Sequence, residues 1–122
     1  IVVLGYSIGS GLAAQVASTN RPRLLILQTP YYSLVDVVQY RNPFVPSFLL
    51  KYKFRTDLFL PKCKMPIVMF HGDNDEVIYY ESSVKLRALI KAGDTLITLK
   101  GQGHNGVTEN SDYLEALPTV LN

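Results

Sequence analysis

Ser7 lies between two glycines in Gly5-Tyr6-Ser7-Ile8-Gly9, directly after the apolar run Ile1-Val2-Val3-Leu4. G-x-S-x-G in a sharp strand-to-helix turn lifts the serine hydroxyl clear of the backbone, where it can act as a nucleophile. The flanking glycines are expected where neighbouring backbone must pass close to that turn. The helix that follows would aim its first N–H groups at negative charge developing beside Ser7. The same stretch, Gly9-Ser10-Gly11-Leu12-Ala13-Ala14, also matches the G-x-G-x-x-A pattern of a dinucleotide-binding turn. That fingerprint should begin at the strand end, where Ser7 stands in place of its second glycine. The next strand should also end near an acid for the ribose, and here it ends at Leu27-Gln28, so the nucleophile reading is the stronger.

A serine nucleophile needs a base, and the base needs an acid to orient it. His104 sits in the glycine-rich stretch Lys100-Gly101-Gln102-Gly103-His104-Asn105-Gly106, although a lone loop histidine is usually no more than an exposed side chain. Acids cluster in His71-Gly72-Asp73-Asn74-Asp75-Glu76. Asp73, Asp75 and Glu76 all compete for the orienting role, and either aspartate could equally form a turn or cap the next helix.

These stretches fall at the ends of predicted elements. Ile1 to Leu4 and Leu24 to Leu27 are unbroken apolar runs, the pattern of parallel strands covered on both faces. Between them Leu12, Ala13, Val16 and Ala17 recur at helical spacing until Asn20-Arg21-Pro22. Ile67 to Phe70 is a third buried run. A helix is expected from about Tyr79 to Ala92, with Leu86, Leu89 and Ile90 on one face before Gly93. Thr95 to Leu99 reads as a fourth strand. Asp112 to about Leu117 begins a last helix that Pro118 should kink or end. The segment from Tyr31 to Phe59 is rich in aromatic residues and proline and suggests short helices. Alternating strands and helices predict an α/β fold, a mainly parallel sheet with helices packed on its faces. In such sheets sites form beyond the carboxyl ends of the strands, where Ser7, the acid cluster and His104 all lie.

Composition narrows the function classes. With 122 residues, 48% of them hydrophobic and 18% charged, the chain reads as one globular domain. A net charge of +2 with scattered basic residues does not suggest a nucleic-acid partner. Lys51, Lys53, Arg55, Lys62 and Lys64 read as a solvated set. The single Cys63 excludes an internal disulfide, the two histidines have no zinc-ligand spacing, and no cofactor is expected. No apolar run reaches the roughly 20 residues that cross a bilayer. Ile1 opens directly into a strand pattern, so a preceding segment is expected.

Taken with their loops, Gly5-Tyr6-Ser7-Ile8-Gly9-Ser10-Gly11, His71-Gly72-Asp73-Asn74-Asp75-Glu76-Val77-Ile78 and Gly101-Gln102-Gly103-His104-Asn105 make the chain resemble the α/β-hydrolase superfamily over nearly its whole length. The branch most similar is that of the small protein depalmitoylases and related serine hydrolases. The resemblance implies the chain order nucleophile, acid, histidine, which Ser7, Asp75 and His104 satisfy and His71 does not. His71 is left with a packing or hydrogen-bonding role. The branch's HG-x-x-D motif places the acid at Asp75 rather than Asp73, and the Ile8 N–H takes the place of one oxyanion donor.

By the same resemblance, residues 1–122 are the C-terminal part of one hydrolase domain within a longer polypeptide, and residues 31–64 are a cap-like or variable helical segment. The expected substrate is a small molecule or acyl group, cleaved as an ester or thioester through an acyl-serine. The second oxyanion donor would come from an earlier loop, so these residues alone should be nearly inactive. A non-catalytic binding protein of the same fold is the competing class.

Overall fold

The computed structural model describes residues 1–33, 36–38 and 55–122. Four strands form one sheet in the order β1-β2-β3-β4, and every neighbouring pair is parallel. They are β1 (Val2–Tyr6), β2 (Leu24–Gln28), β3 (Ile67–Gly72) and β4 (Thr95–Leu99). The helices are α1 (Gly9–Asn20), a single turn α2 (Thr56–Phe59), α3 (Glu81–Arg87) and α4 (Ser111–Leu121), with short 3-10 turns at Leu60–Lys62 and Val107–Glu109.

Alternation along the strands divides the core into two layers. Leu25 and Leu27 of β2 and Ile67 and Met69 of β3 turn toward α1 and α3, where they meet Ala13, Ala14, Ala17 and Leu86. Leu24, Ile26, Phe70 and Leu99 point the other way, toward Val107 and Tyr113. Every residue of β2 is buried, which is why its sequence shows no polar alternation. Each of those leucines contributes about 1.5–3 kcal/mol by leaving water. The Tyr113 ring meets Phe70 edge-on at 4.8 Å, and its hydroxyl accepts a 2.6 Å hydrogen bond from Gln28.

Three local expectations change. In α1 the buried residues are Ser10, Gly11, Ala13, Ala14 and Ala17, whereas Leu12 and Val16 face outward, about half exposed. The inward face is made of small residues because the helix lies close against β1: a Cβ on Gly5 would come within 2.5 Å of Ala13 Cβ. Helix α3 stops at Arg87, well before Gly93, and Leu89 and Ile90 reach the core from the turn that follows. Helix α4 continues through Pro118 to Leu121. The carbonyl that would have bonded a residue at that position belongs to Leu114, which is exposed, so water can replace the missing N–H.

Strands β1 and β4 are the edges of the sheet. Leu4, Ile8, Leu12 and Val16 are all about half exposed on the β1 side, and Tyr6 is 39% exposed. Among the described residues no helix is long and apolar enough to cross a membrane.

Candidate active site

The backbone at Ser7 adopts φ 54°, a left-handed conformation that is unusual for a residue other than glycine. Hydrogen bonds hold it from both sides. The Ser7 N–H donates to the Gln28 carbonyl at 2.9 Å, and the Ser7 carbonyl accepts from the Ser10 N–H at 3.0 Å and the Ser10 hydroxyl at 2.6 Å. Thr29, at the end of the adjacent strand, is also left-handed, with φ 49°. Two neighbouring strands therefore lead into left-handed residues at the carboxyl end of the sheet, the kind of backbone strain that clusters at functional sites. Of the glycines flanking Ser7, only Gly5 answers the expected crowding; a Cβ on Gly9 would meet nothing within 4 Å. Gly9, Ser10 and Gly11 lie inside α1 rather than in the turn, so they do not form the phosphate-binding loop of a dinucleotide site.

His104 follows β4 in a loop that is bonded at several points. Gln102 Nε2 donates to the carbonyls of Asn105 at 2.6 Å and Gly103 at 3.3 Å. Its Oε1 accepts from Asn110 Nδ2 at 2.8 Å. Asn110 also caps α4, its Oδ1 accepting from the N–H groups of Asp112 and Tyr113 at 2.9 and 3.1 Å. A single asparagine thus starts the last helix and holds the histidine loop. The loop is further stitched to the one after β3: Asp73 Oδ1 accepts from the Gly101 N–H at 2.7 Å, and the Asn74 N–H donates to Gln102 O at 3.1 Å. The two loops approach so closely that a Cβ on Gly72 would lie 2.1 Å from the Gln102 carbonyl oxygen. On the opposite side the Tyr6 hydroxyl donates to the His104 carbonyl at 2.8 Å, and the two rings are 5.6 Å apart. Burial, and behind it the charge of Asp75, raise the Tyr6 pKa, so the phenol remains a donor at neutral pH.

Asp75 is buried at the junction of these loops. Its Oδ1 accepts from the N–H groups of Val77 and Ile78 at 2.8 and 2.9 Å. Its Oδ2 lies 2.9 Å from His104 Nδ1. An ionised carboxylate can only accept, so the His104 proton is on Nδ1 and Nε2 offers a lone pair. Ser7 Oγ is 3.0 Å from that Nε2 and donates to it. Desolvation alone would raise the Asp75 pKa, but hydrogen bonds from His71, His104 and the N–H groups of Ile78 and Val77 outweigh it and bring it down to about 2.

Ser7, His104 and Asp75 are thereby brought into one hydrogen-bonded line, with both His104 nitrogens engaged. The other acids of the cluster do not join it. Asp73 is turned to Gly101, and Glu76 is exposed. Beside the line, Asn74, Glu76, Val77, Gly103, His104 and Asn105 border an open groove of about 350 Å³. Tyr6, Gln102 and Asn110 were not singled out by the sequence reading. They act through hydroxyl or amide groups whose spacing carries no motif.

The start of the 31–64 segment is anchored rather than free. The Tyr31 hydroxyl donates to the Ile8 carbonyl at 3.2 Å, and burial pushes its pKa up to about 12. The Tyr32 N–H donates to Ser82 Oγ at 2.5 Å. Lys85 Nζ bonds Asp36 Oδ1 at 2.5 Å and lies over the rings of Tyr32 and Tyr79. Arg55 makes a two-pronged pair with Asp57 at 2.8 and 2.6 Å. Tyr40, Pro43, Phe44, Pro46, Phe48, Lys51, Tyr52, Lys53 and Phe54, which carry the cap-like expectation, lie outside the described residues.

Comparison with known proteins supports the same architecture. The esterase domain of a Rhodothermus marinus protein superimposes with a TM-score of 0.71 at 18% identity, over 98% of this chain and 57% of that one. The fold is that of the α/β-hydrolases. Among curated α/β-hydrolase proteins, the chain is 27% identical over 121 residues to alpha/beta hydrolase domain-containing protein aho-3 of Caenorhabditis elegans, covering 99% of this chain and 36% of that protein. It is also 27% identical over 122 residues to alpha/beta hydrolase domain-containing protein 17B of Homo sapiens, covering 96% of this chain and 40% of that protein. The chain therefore spans well under half the length of these two α/β-hydrolase relatives. No protein-family model matches it.

Proposed function

We propose that these residues supply the nucleophile, base and acid of a serine hydrolase acting on acyl esters or thioesters. The observation that carries this reading is the unbroken line from Ser7 Oγ through both nitrogens of His104 to Asp75, at 3.0 and 2.9 Å. As Ser7 Oγ attacks an acyl carbonyl, His104 Nε2 takes its proton, and the buried Asp75 carboxylate stabilises the imidazolium that forms. His104 then returns the proton to the leaving group, which can depart along the polar groove that His104 borders. An acyl-serine remains. Water activated by the same imidazole adds to it, and breaking the Ser7–acyl bond releases the acid and the free hydroxyl.

The charge that develops on the carbonyl oxygen needs donors, and the Ile8 N–H at the start of α1 is assigned as one of them. By resemblance to the superfamily, the other comes from a loop that follows an earlier strand. Since one missing donor costs about 100- to 1,000-fold in turnover, residues 1–122 alone are expected to be close to inactive. Residues 1–122 are likewise proposed as the C-terminal part of a single hydrolase domain.

The test is labelling of the full-length protein with a fluorophosphonate probe, followed by peptide mapping. Modification of Ser7 is expected, with no labelling of Ser7→Ala. A full-length protein that stays unlabelled under conditions where an unrelated serine esterase reacts would overturn the hydrolase reading in favour of a non-catalytic binding protein.

A further inference from the structure

His71 is completely buried at the end of β3, and both of its ring nitrogens are engaged. Nε2 is 2.8 Å from the Ile78 carbonyl oxygen and Nδ1 is 2.6 Å from Ser83 Oγ. A carbonyl can only accept, so Nε2 carries a proton. That same nitrogen lies 3.3 Å from Oδ2 of Asp75, the oxygen that also receives His104. The proton is aimed mainly at the Ile78 carbonyl, which makes the Asp75 contact the longer arm of a fork. The residue at the far end of the fork is not incidental, because the Ile78 N–H is one of the two backbone donors to Asp75 Oδ1. His71 therefore touches the acid directly and also grips the turn that supplies the acid's other bonds.

We propose that His71 is a positioning residue for Asp75, a second imidazole that holds the carboxylate in the orientation His104 requires. The inference deepens the hydrolase reading and rests on it. The contacts form a chain in which Ser83 on α3 fixes His71, His71 and the Val77–Ile78 turn fix Asp75, Asp75 fixes His104, and His104 receives the Ser7 proton. Both Asp75 and His71 are inaccessible to solvent. Water could not replace a lost donor without opening the core, so the carboxylate would be left with concentrated charge and freedom to rotate. The edge-on Tyr80 ring, 5.7 Å from His71, helps fix the plane of the imidazole.

Two variants of the full-length protein separate positioning from packing. His71→Leu keeps the volume and removes the donor, whereas His71→Gln places an amide N–H near the position of Nε2. With one fewer donor, Asp75 binds the His104 Nδ1 proton more tightly, so the NMR resonance of that proton should shift in His71→Leu and stay near wild type in His71→Gln. Fluorophosphonate labelling of Ser7 should slow about tenfold in His71→Leu, the low end for a lost bond to a charged group, with most of the rate kept in His71→Gln.

The inference is overturned if the His104 Nδ1 proton resonance is the same in His71→Leu as in the wild type, or if the two variants are damaged equally. If the wild type itself fails to label, the hydrolase reading falls, and the His104 Nδ1 proton resonance still decides the role of His71 because it requires no turnover.

Discussion

The two sides of the site are built differently. On the β3–β4 side, the loops carrying Asp75 and His104 are joined to each other by bonds from Gly101 to Asp73 and from Asn74 to Gln102, and Asn110 ties Gln102 to the last helix. On the β1 side, Ser7 is held by Gln28 and Ser10, but the strand is a sheet edge and its surroundings include the exposed apolar side chains of Leu4, Ile8, Leu12 and Val16. Asp75 and His104, the proposed acid and base, thus carry their own scaffold within these residues. Ser7, the proposed nucleophile, stands beside half-exposed apolar side chains. The first side is braced by bonds among the described residues, whereas the second presents half-exposed apolar side chains.

The sharpest break in this contrast is Asp75→Asn. An amide there can present a donor to His104 Nδ1 and favour the wrong tautomer, so acylation of Ser7 should slow by about 10⁴-fold, read as probe-labelling rate. The same variant tests the electrostatics. Because folding depresses the Asp75 pKa to about 2, its stabilisation is complete above about pH 4 and is lost as pH falls toward 2, amounting to about 2 kcal/mol. Asp75→Asn should lower neutral-pH stability by about that amount and flatten the acid side of the stability profile between about pH 4 and pH 2, measured by urea titration at stepped pH.

Next in size is Gly72→Ala, which drives a methyl group into the Gln102 carbonyl and should cost about 3 kcal/mol, together with most of the labelling rate. A loss of stability with full labelling would mean that the two loops need not be in register for the site to work. On the other side, Leu12→Asn and Val16→Asn should each destabilise the full-length protein by about 1–3 kcal/mol if this face is covered there. A change within about 0.5 kcal/mol would show that it faces water and would remove half of the contrast. The smallest effect is expected for Tyr6→Phe. Losing the hydrogen bond that joins the nucleophile turn to the His104 loop should slow labelling about fivefold, leaving thermal stability within about 1 kcal/mol.

Much of this was legible in the residues. Leu24–Leu27 and Ile67–Phe70 announced buried parallel strands because both of their faces are covered, the strands running on to Gln28 and Gly72, and Thr95–Leu99 matched its run from end to end. The G-x-S-x-G turn and the loop after β3 likewise fell where strands end. What misled was the assumption that apolar means inward: in α1 the core face is alanine, glycine and serine, since the helix lies too close to the sheet for larger side chains, and Leu12 and Val16 are on the outside. Pro118 does not end its helix, because an exposed helix tolerates a lost bond that a buried one would not. Tyr6, Gln102 and Asn110 could not be found in advance. Their roles depend on partners as many as 98 residues away and on groups that every loop contains.

Along the chain the proposed reacting groups are made in the order Ser7, Asp75 and His104, so the proposed base comes last. Ser7 and His104 are 97 residues apart, an interval of roughly 5–20 s at ordinary rates of synthesis. Throughout that time the nascent chain carries its serine without the imidazole that would activate it. On the proposed mechanism, a chain with this order gains its reactivity only after all four strands of the described sheet have been made.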